Sequence, residues 1–329
     1  MKLVRTLNGH TERIKPIWIM RQAGRYLPEY RALRAKSKNF MEFCLSKDMV
    51  FEATLQPIQR FDFDAAIIFS DILVIPHFLG QFVAFQEGVG PILGTPDWEK
   101  ILEGSISDGI NVVYESIAQV RENLDPEKAL IGFVGCPWTI ATYMINQGKT
   151  DNFSSLVNFC KSWPLFDKLM EKLTIIIGKH AVAQIKAGAN VIQLFESWAS
   201  AVPTELQEEW LFKPAKTIVE HTQKCCPGTN VIYYGKGIVP NATKPLGLSK
   251  VAFGVSQDIP LDLLESQTMC LQGNLDPEKL LNGNFKNDVQ KILAFSKNRP
   301  FIVNLGHGIL PGTPTEHVKQ FIDLVRQSA

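Results

Sequence analysis

Short apolar runs alternate along the chain with longer stretches whose apolar positions recur at helical spacing. The runs occupy residues 17–20, 65–69, 130–134, 191–195, 231–234, 251–255, 269–272 and 301–305. They are continuously apolar and too short for helices, the pattern of strands buried on both faces. Helical periodicity covers 47–60, 108–123, 164–187, 203–224 and 315–326, and a short helical stretch near 143 follows the third run. Ser46 stands where an N-cap for the 47–60 helix belongs. Strands alternating with helices predict a parallel sheet, and eight such units predict a closed (β/α)8 barrel of TIM type. A doubly wound sheet is the second reading of the same pattern. Residues 80–96 alternate instead and carry Gly88, Gly90, Pro91, Gly94 and Pro96, so they predict a hairpin inserted after the second strand. The barrel is expected to form one domain over residues 1–329.

Catalytic groups of a barrel lie at the C-terminal ends of its strands. Those ends carry Arg21 and Arg25, Asp71, Ser197, Lys236, Asn274 and His307, with Tyr143 a little beyond the third strand. Arg21 and Arg25 follow directly on a buried run, and Gly24 and Pro28 keep them off any continuous helix; Arg31 and Arg34 come next. A guanidinium is permanently charged and grips a carboxylate with two parallel hydrogen bonds. Several of them at a strand end point to a ligand bearing several carboxylates; the alternative is surface arginines paired with Glu29. Asp71 lies inside an apolar run, where a carboxylate is costly unless donors meet it. It is a candidate functional acid, and a structural Asp bonded to backbone amides is the alternative. His307 sits between two glycines that allow a ligand close to the backbone, against the plainer reading of a turn histidine. Lys236 in Gly-Lys-Gly lacks the rest of a phosphate-binding loop. Tyr143 and Ser197 are ordinary by sequence alone.

Composition narrows the classes. With 329 residues and 45% apolar content the chain can bury a large core. A net charge of +1 excludes the broad basic field of a nucleic-acid binder. Six scattered cysteines with no CxxC pair are expected to be reduced thiols of a cytoplasmic protein. The first fifteen residues lack the apolar core of a signal peptide, and the most apolar segment, 65–85, is broken by Asp71, Pro76, His77 and Gly80, so no membrane span is expected. No HExxH, no usual zinc spacing, no GxGxxG after the first strand and no GxSxG occurs. Hence no metal, nicotinamide or pyridoxal cofactor is expected.

The segment Met-Arg-Gln-Ala-Gly-Arg-Tyr-Leu-Pro-Glu-Tyr at 20–30 resembles the N-terminal signature of the uroporphyrinogen decarboxylase family. Further blocks follow in family order: AAIIFSDILV at 65–74, IGFVGCPWT at 131–139 with TYM at 142–144, QLFESWA at 193–199, LQGNLDP at 271–277 and NLGHG at 304–308. The resemblance implies a distorted (β/α)8 barrel, usually a homodimer, that works without a cofactor. It implies a cyclic tetrapyrrole substrate whose acetate side chains lose carbon dioxide. Carried over by motif, the catalytic residues are Asp71, Arg21 and Tyr143. The substrate-binding residues are Arg21, Gln22, Ala23, Gly24 and Arg25, with Asp71, Tyr143, Ser197 and His307. The proton donor stays open between Arg21 and, through water, Tyr143 or His307. One departure stands out: the family commonly reads Gly-Leu-Asp-Trp after the sixth strand, and this chain has Gly254-Val255-Ser256-Gln257. Two rivals share parts of the pattern. A corrinoid-linked methyltransferase would want a zinc-binding thiol where His307 stands, and a non-catalytic tetrapyrrole-binding protein would have no need of Asp71, Tyr143 and His307 together.

Overall fold

In the computed structural model, residues 1–86, 88–149, 152–239 and 251–328 are described. The apolar runs form strands because extended backbone lets their side chains bury on both faces of one sheet. In chain order the strands are β1 (Ala65–Ile67), β2 (Val83–Gln86), β3 (Gly90–Leu93), β4 (Ala129–Gly135), β5 (Val191–Glu196), β6 (Asn230–Gly235), β7 (Val251–Gly254), β8 (Leu271–Leu275) and β9 (Phe301–Leu305). Seven of them pair in the order β1-β4-β5-β6-β7-β8-β9, every pair parallel. Among the described residues helical segments connect the strands, except between β6 and β7, giving a curled α/β barrel. β2 and β3 form the antiparallel hairpin expected after the second run; residue 87, within that span, lies outside the described residues.

The first apolar run departs from expectation. Of residues 17–20, only Ile17 bridges the sheet, opposite Val303 of β9. The run still fills the gap between β9 and β1, but side chains replace part of the ladder. Val303 N–H donates to Pro16 O (2.8 Å), Trp18 N–H to Val303 O (3.3 Å) and Asp64 N–H to Ile17 O (2.9 Å). The Asp64 carboxylate accepts from Ile17 N–H at 2.7 Å, and Asn304 Oδ1 accepts from Met20 N–H at 3.0 Å. Each backbone donor is satisfied, as burial requires, without the regular pairing that makes a strand.

Alternation sorts the strands' side chains into two layers. Trp18, Met20, Ala65, Ile67, Ile131, Val191, Ile232, Ala252 and Ile302 pack together inside the barrel. Their neighbours Ala66, Leu130, Ile192, Tyr233, Phe253, Leu271 and Val303 face the helices. A helix at Lys2–Leu7 adds Leu3 and Leu7 to the inner layer, an element the sequence pattern did not predict. Inside the barrel, Trp18 Nε1–H donates to Gln272 Oε1 (2.9 Å) and Gln272 Nε2–H to Gln193 Oε1 (3.1 Å).

Other boundaries moved. The helix expected at 203–224 is three segments, Thr204–Gln207, a π-turn at Glu208–Phe212, and Lys213–Cys225. The helix at 108–123 begins as a 3-10 turn, Asp108–Ile110, before Asn111–Asn123. Asn274, expected at the end of a strand, lies within β8, and its Nδ2 donates to Ser256 O (3.3 Å) and Ile259 O (2.9 Å). Its role is to tie down the β7 exit. The helices Lys47–Arg60 and Thr315–Arg326 stand where the periodicity put them; Ser46 is the N-cap residue but its side chain makes no capping bond.

Asp64 is the most heavily used closing residue. Besides Ile17 N–H it pairs with Lys2 (3.2 Å) and Arg326 (2.9 Å), and it is 11% exposed. Asp64→Ala strips the first stave of an acceptor and takes from Arg326 one of its two carboxylates, leaving it Asp62 alone. It is expected to cost about 2–3 kcal/mol of stability, read as a lower urea midpoint; an unchanged midpoint would show that closure does not depend on this carboxylate.

Candidate active site

The exit of the first stave carries Arg21 in the left-handed region, φ 64°. That conformation is uncommon for a residue with a Cβ and persists only when its surroundings fix it. Gln22 does so from beneath. It is fully buried; its Nε2–H donates to Ala65 O (3.0 Å) and its Oε1 accepts from Ile19 N–H (3.3 Å). Tyr26 O–H donates to Gln22 O at 2.9 Å. Gly24 completes the turn, since a Cβ there would come within 2.9 Å of Arg21 O.

On the other side stands the loop after β9. Gly306 N–H donates to Leu275 O (2.8 Å) and Ile309 N–H to Met20 O (2.9 Å), and Tyr234 O–H donates to Gly306 O at 2.9 Å. These bonds press Gly306-His307-Gly308 against the arginine. A Cβ on Gly308 would lie 2.4 Å from Arg21 Cδ. Glycine is therefore the residue that lets the side chain of Arg21 pass.

Asp71 follows β1, just before the helix Val74–Phe78. Its Oδ1 accepts from Leu73 N–H at 2.9 Å. Part of its surface opens to the cleft, yet protein surrounds it on the other sides. Burial pushes its carboxyl up to about 6, against the opposing pull of the Leu73 amide and the Arg21 charge. Arg21 acts on four neighbours at once. Its field lowers the pKa of Asp71, Tyr143, Tyr234 and His307. Among the described residues it has no carboxylate in ion-pair contact, nor has Arg25, and both are exposed. His307 is pushed down to about 4, first by burial and then by Arg21 and Lys236. It is therefore neutral at pH 7. Tyr143 stands on the helix Pro137–Ile145, which starts on a proline at its first turn. Burial raises its pKa, so its hydroxyl keeps its proton, and its ring meets Trp198 edge-on at 6.1 Å.

The structure thus brings Asp71, Tyr143 and His307 within electrostatic reach of Arg21. Ser197 stands at the exit of β5, half-buried and without a protein hydrogen bond among the described residues. Ala23 and Gly24 line the same turn, half-exposed. Gln22 is turned into the barrel and holds the turn from within. Glu29 takes neither Arg21 nor Arg25; it binds Arg60 through two bonds of 2.6 and 2.8 Å. Arg31 donates to Arg25 O (2.7 Å), and Arg34 donates to Ser37 O (3.0 Å) and lies over Phe40, so these two serve the loop. Sequence reasoning missed Tyr234, an inward residue of an apolar strand that nothing in the chain marks as polar-facing. It also missed Glu196, an acid ending an apolar run as Asp71 does.

The model of the family described as "Uroporphyrinogen decarboxylase (URO-D)" matches residues 1–328. The chain belongs to the uroporphyrinogen decarboxylase family. It is 43% identical over 324 residues to a uroporphyrinogen decarboxylase of Campylobacter jejuni, covering 95% of each chain. With that of Rickettsia bellii it shares 42% over 321 residues, covering 95% of this chain and 94% of the relative. Among solved structures, a methyltransferase from Methanosarcina mazei superposes with a TM-score of 0.77 at 17% identity, covering 99% and 97% of the two chains. That likeness shows a shared barrel, and the sequence match decides between the two families. Where the uroporphyrinogen decarboxylase family commonly has an acid and an indole, Ser256 and Gln257 do structural work. Ser256 is fully buried, its Oγ accepts from Gly237 N–H at 3.1 Å, and Gln257 packs against Gly306.

Asp71 should titrate near neutrality. The carboxylate form gains above about pH 6, and because Arg21 lowers that value, Arg21→Gln should move the midpoint upward. Carboxyl carbon chemical shifts followed against pH would read both; a midpoint in the ordinary carboxylate range, or one indifferent to residue 21, would overturn the electrostatic account.

Proposed function

We propose that this chain converts uroporphyrinogen III to coproporphyrinogen III through Asp71, Arg21 and Tyr143. Family membership along the whole chain carries the reaction: a carboxy-lyase of haem biosynthesis that removes carbon dioxide from four acetate side chains. The observation that carries the residue assignment is one half-buried carboxylate in the field of a guanidinium that, among the described residues, has no acid in ion-pair contact.

Losing carbon dioxide from an acetate on a pyrrole requires an electron sink. Protonating the adjacent ring carbon makes the pyrrole nitrogen cationic. The C–C bond then breaks, its electron pair enters the ring, and carbon dioxide leaves. A proton added to the resulting methylene and one lost from the ring carbon give the methyl product. The substrate supplies its own sink, so the protein's part is binding and electrostatics. Ionised Asp71 accepts hydrogen bonds from pyrrole N–H groups and stabilises the cation as it forms. Arg21 and Arg25 hold carboxylates in bidentate fashion. His307, neutral, offers a hydrogen bond without charge, and Tyr143 and Ser197 offer hydroxyls on the facing side. Gln22, Ala23 and Gly24 shape the turn that presents Arg21.

The same reading takes the whole chain as one barrel domain acting on a small-molecule substrate, in the cytoplasm, as a homodimer. Among the described residues no helix is long and apolar enough to cross a membrane. Phe82, Val89 and Ile92 leave apolar surface exposed on the β2–β3 hairpin, which supports association with a second copy; light scattering of the purified protein checks it.

Asp71→Asn keeps the shape and removes the charge. It should lower kcat about 100- to 1000-fold, as loss of a preorganised electrostatic contact does, with the unfolding midpoint kept. Full turnover would refute the cation-stabilising role. Arg21→Ala should lower kcat/KM about 10- to 100-fold through lost charge-assisted bonds. Unchanged turnover of the octa-acid, read by product chromatography, would remove Arg21 from the site.

A further inference from the structure

Behind the site, on the helix-facing side of the sheet, lies a second acid that the chemistry above does not use. Glu196 ends β5 and is fully buried. Its Oε1 accepts from Thr139 N–H at 2.9 Å and from the Thr139 hydroxyl. Thr139 Oγ1 in turn accepts from Trp198 N–H at 3.4 Å. Thr139 lies in the first turn of the helix Pro137–Ile145 that carries Tyr143, and Trp198 follows Ser197. Trp138 Nε1–H adds a second tie to the same turn, donating to Trp198 O at 3.1 Å. One carboxyl therefore links the two segments that bring Tyr143 and Ser197 to the cleft.

We propose that Glu196 is a positioning residue that clamps the Tyr143 helix to the Ser197–Trp198 turn. Its surroundings offer neutral donors but, among the described residues, no cation. Burial pushes its carboxyl up to about 8, against the opposing bonds of Thr139 and Cys136. The titratable groups facing it are the Cys136 thiol, at the start of the helix, and the Tyr233 hydroxyl on β6. Both are held well above their ordinary values by burial, so both stay neutral. Among the described residues no cation contributes to its electrostatics. Its second oxygen, Oε2, has no protein partner, nor has the Tyr233 hydroxyl. Oε1 is occupied as a double acceptor, and the Cys136 thiol is a further donor to the carboxyl. The helix N-terminus also has backbone donors unmet within the helix, and this carboxyl meets one of them.

The inference rests on the reading of Tyr143 and Ser197 as substrate contacts, and its test has an arm that needs no turnover. Glu196→Gln preserves a neutral acceptor of the same length; Glu196→Leu removes it. The glutamine variant should keep kcat within about threefold at pH 7, and the leucine variant should lose about 10- to 100-fold in kcat, the scale of a small misplacement of site groups. The wild type should lose kcat above pH 8 as the carboxyl ionises in its apolar surroundings, and Glu196→Gln should lack that alkaline limb. Hydrogen exchange at the Thr139 and Trp198 amides should stay slow in the glutamine variant and quicken in the leucine variant, whether or not the protein turns over uroporphyrinogen. Equal activity and equal exchange in both variants would overturn the clamp. A glutamine variant as impaired as the leucine one would overturn the neutral form. Wild type without turnover but with the expected exchange pattern would fault the activity and leave the clamp standing.

Discussion

Everything at the cleft depends on how the barrel is closed. Residues 16–20 fill the last gap without regular ladder pairing, with Asp64 and Asn304 lending side-chain acceptors where a strand would use carbonyls. This frees the chain to turn sharply one residue later. A strand continued through Met20 would aim residue 21 across the sheet. The left-handed turn sends Arg21 over Gly308 and into the cleft instead. The strain at that residue is held by bonds from three directions: Gln22 to Ala65, Tyr26 to Gln22, and Ile309 to Met20. The positive charge of the site is thereby fixed to the barrel wall and not left on a mobile loop, which is what preorganised electrostatics needs.

Burial acts on every titratable group near the site in the same sense, disfavouring charge, and the local partners decide how far it goes. Asp71 has an amide donor and the Arg21 field, and stays near 6. Glu196 has hydroxyl, amide and thiol donors but no cation, and reaches about 8. His307 faces two cations and falls to about 4. The acids at the exits of β1 and β5 thus differ through their local partners: Asp71 titrates close to physiological pH, and Glu196 stays protonated within the packing. Sorting similar carboxyls by environment is how one fold assigns them different work.

The fold was largely legible because buried parallel strands write themselves as short continuous apolar runs, and seven of the eight runs became sheet strands. The eighth failed for a reason invisible to hydropathy: its pairing partners are side chains of Asp64 and Asn304, distant in sequence. Asn274 was misplaced because an apolar run that ends in Gly-Asn looks finished, whereas β8 continues to Leu275. The helix Lys2–Leu7 is too short for periodicity to mark. At the site, Arg21 and Asp71 stood out by charge in apolar company. Glu196 carries the same mark, but that it faces the helices and meets Thr139 is visible only once the register is known. Tyr234 gave no mark at all, since a tyrosine among apolar residues reads as core until its hydroxyl is seen on Gly306.

The coupling of Arg21 to Asp71 constrains how a substrate must sit. A carboxylate bound at Arg21 cancels much of the field that now keeps the Asp71 carboxyl down. Left alone, Asp71 would then rise further and take up a proton, and its value as a counter-charge would be lost. Donors of the ligand must therefore reach Asp71 in the same event that fills Arg21. On the proposed reading, a macrocycle with N–H groups turned inward and acids around its rim would meet both demands at once, the ring nitrogens over Asp71 and the rim on Arg21 and Arg25. A small acid that fills only the arginines would raise the Asp71 carboxyl and weaken it as a counter-charge. On the function proposed above, the two residues assigned to bind the substrate would also discriminate against partial ones, through the free energy of one proton.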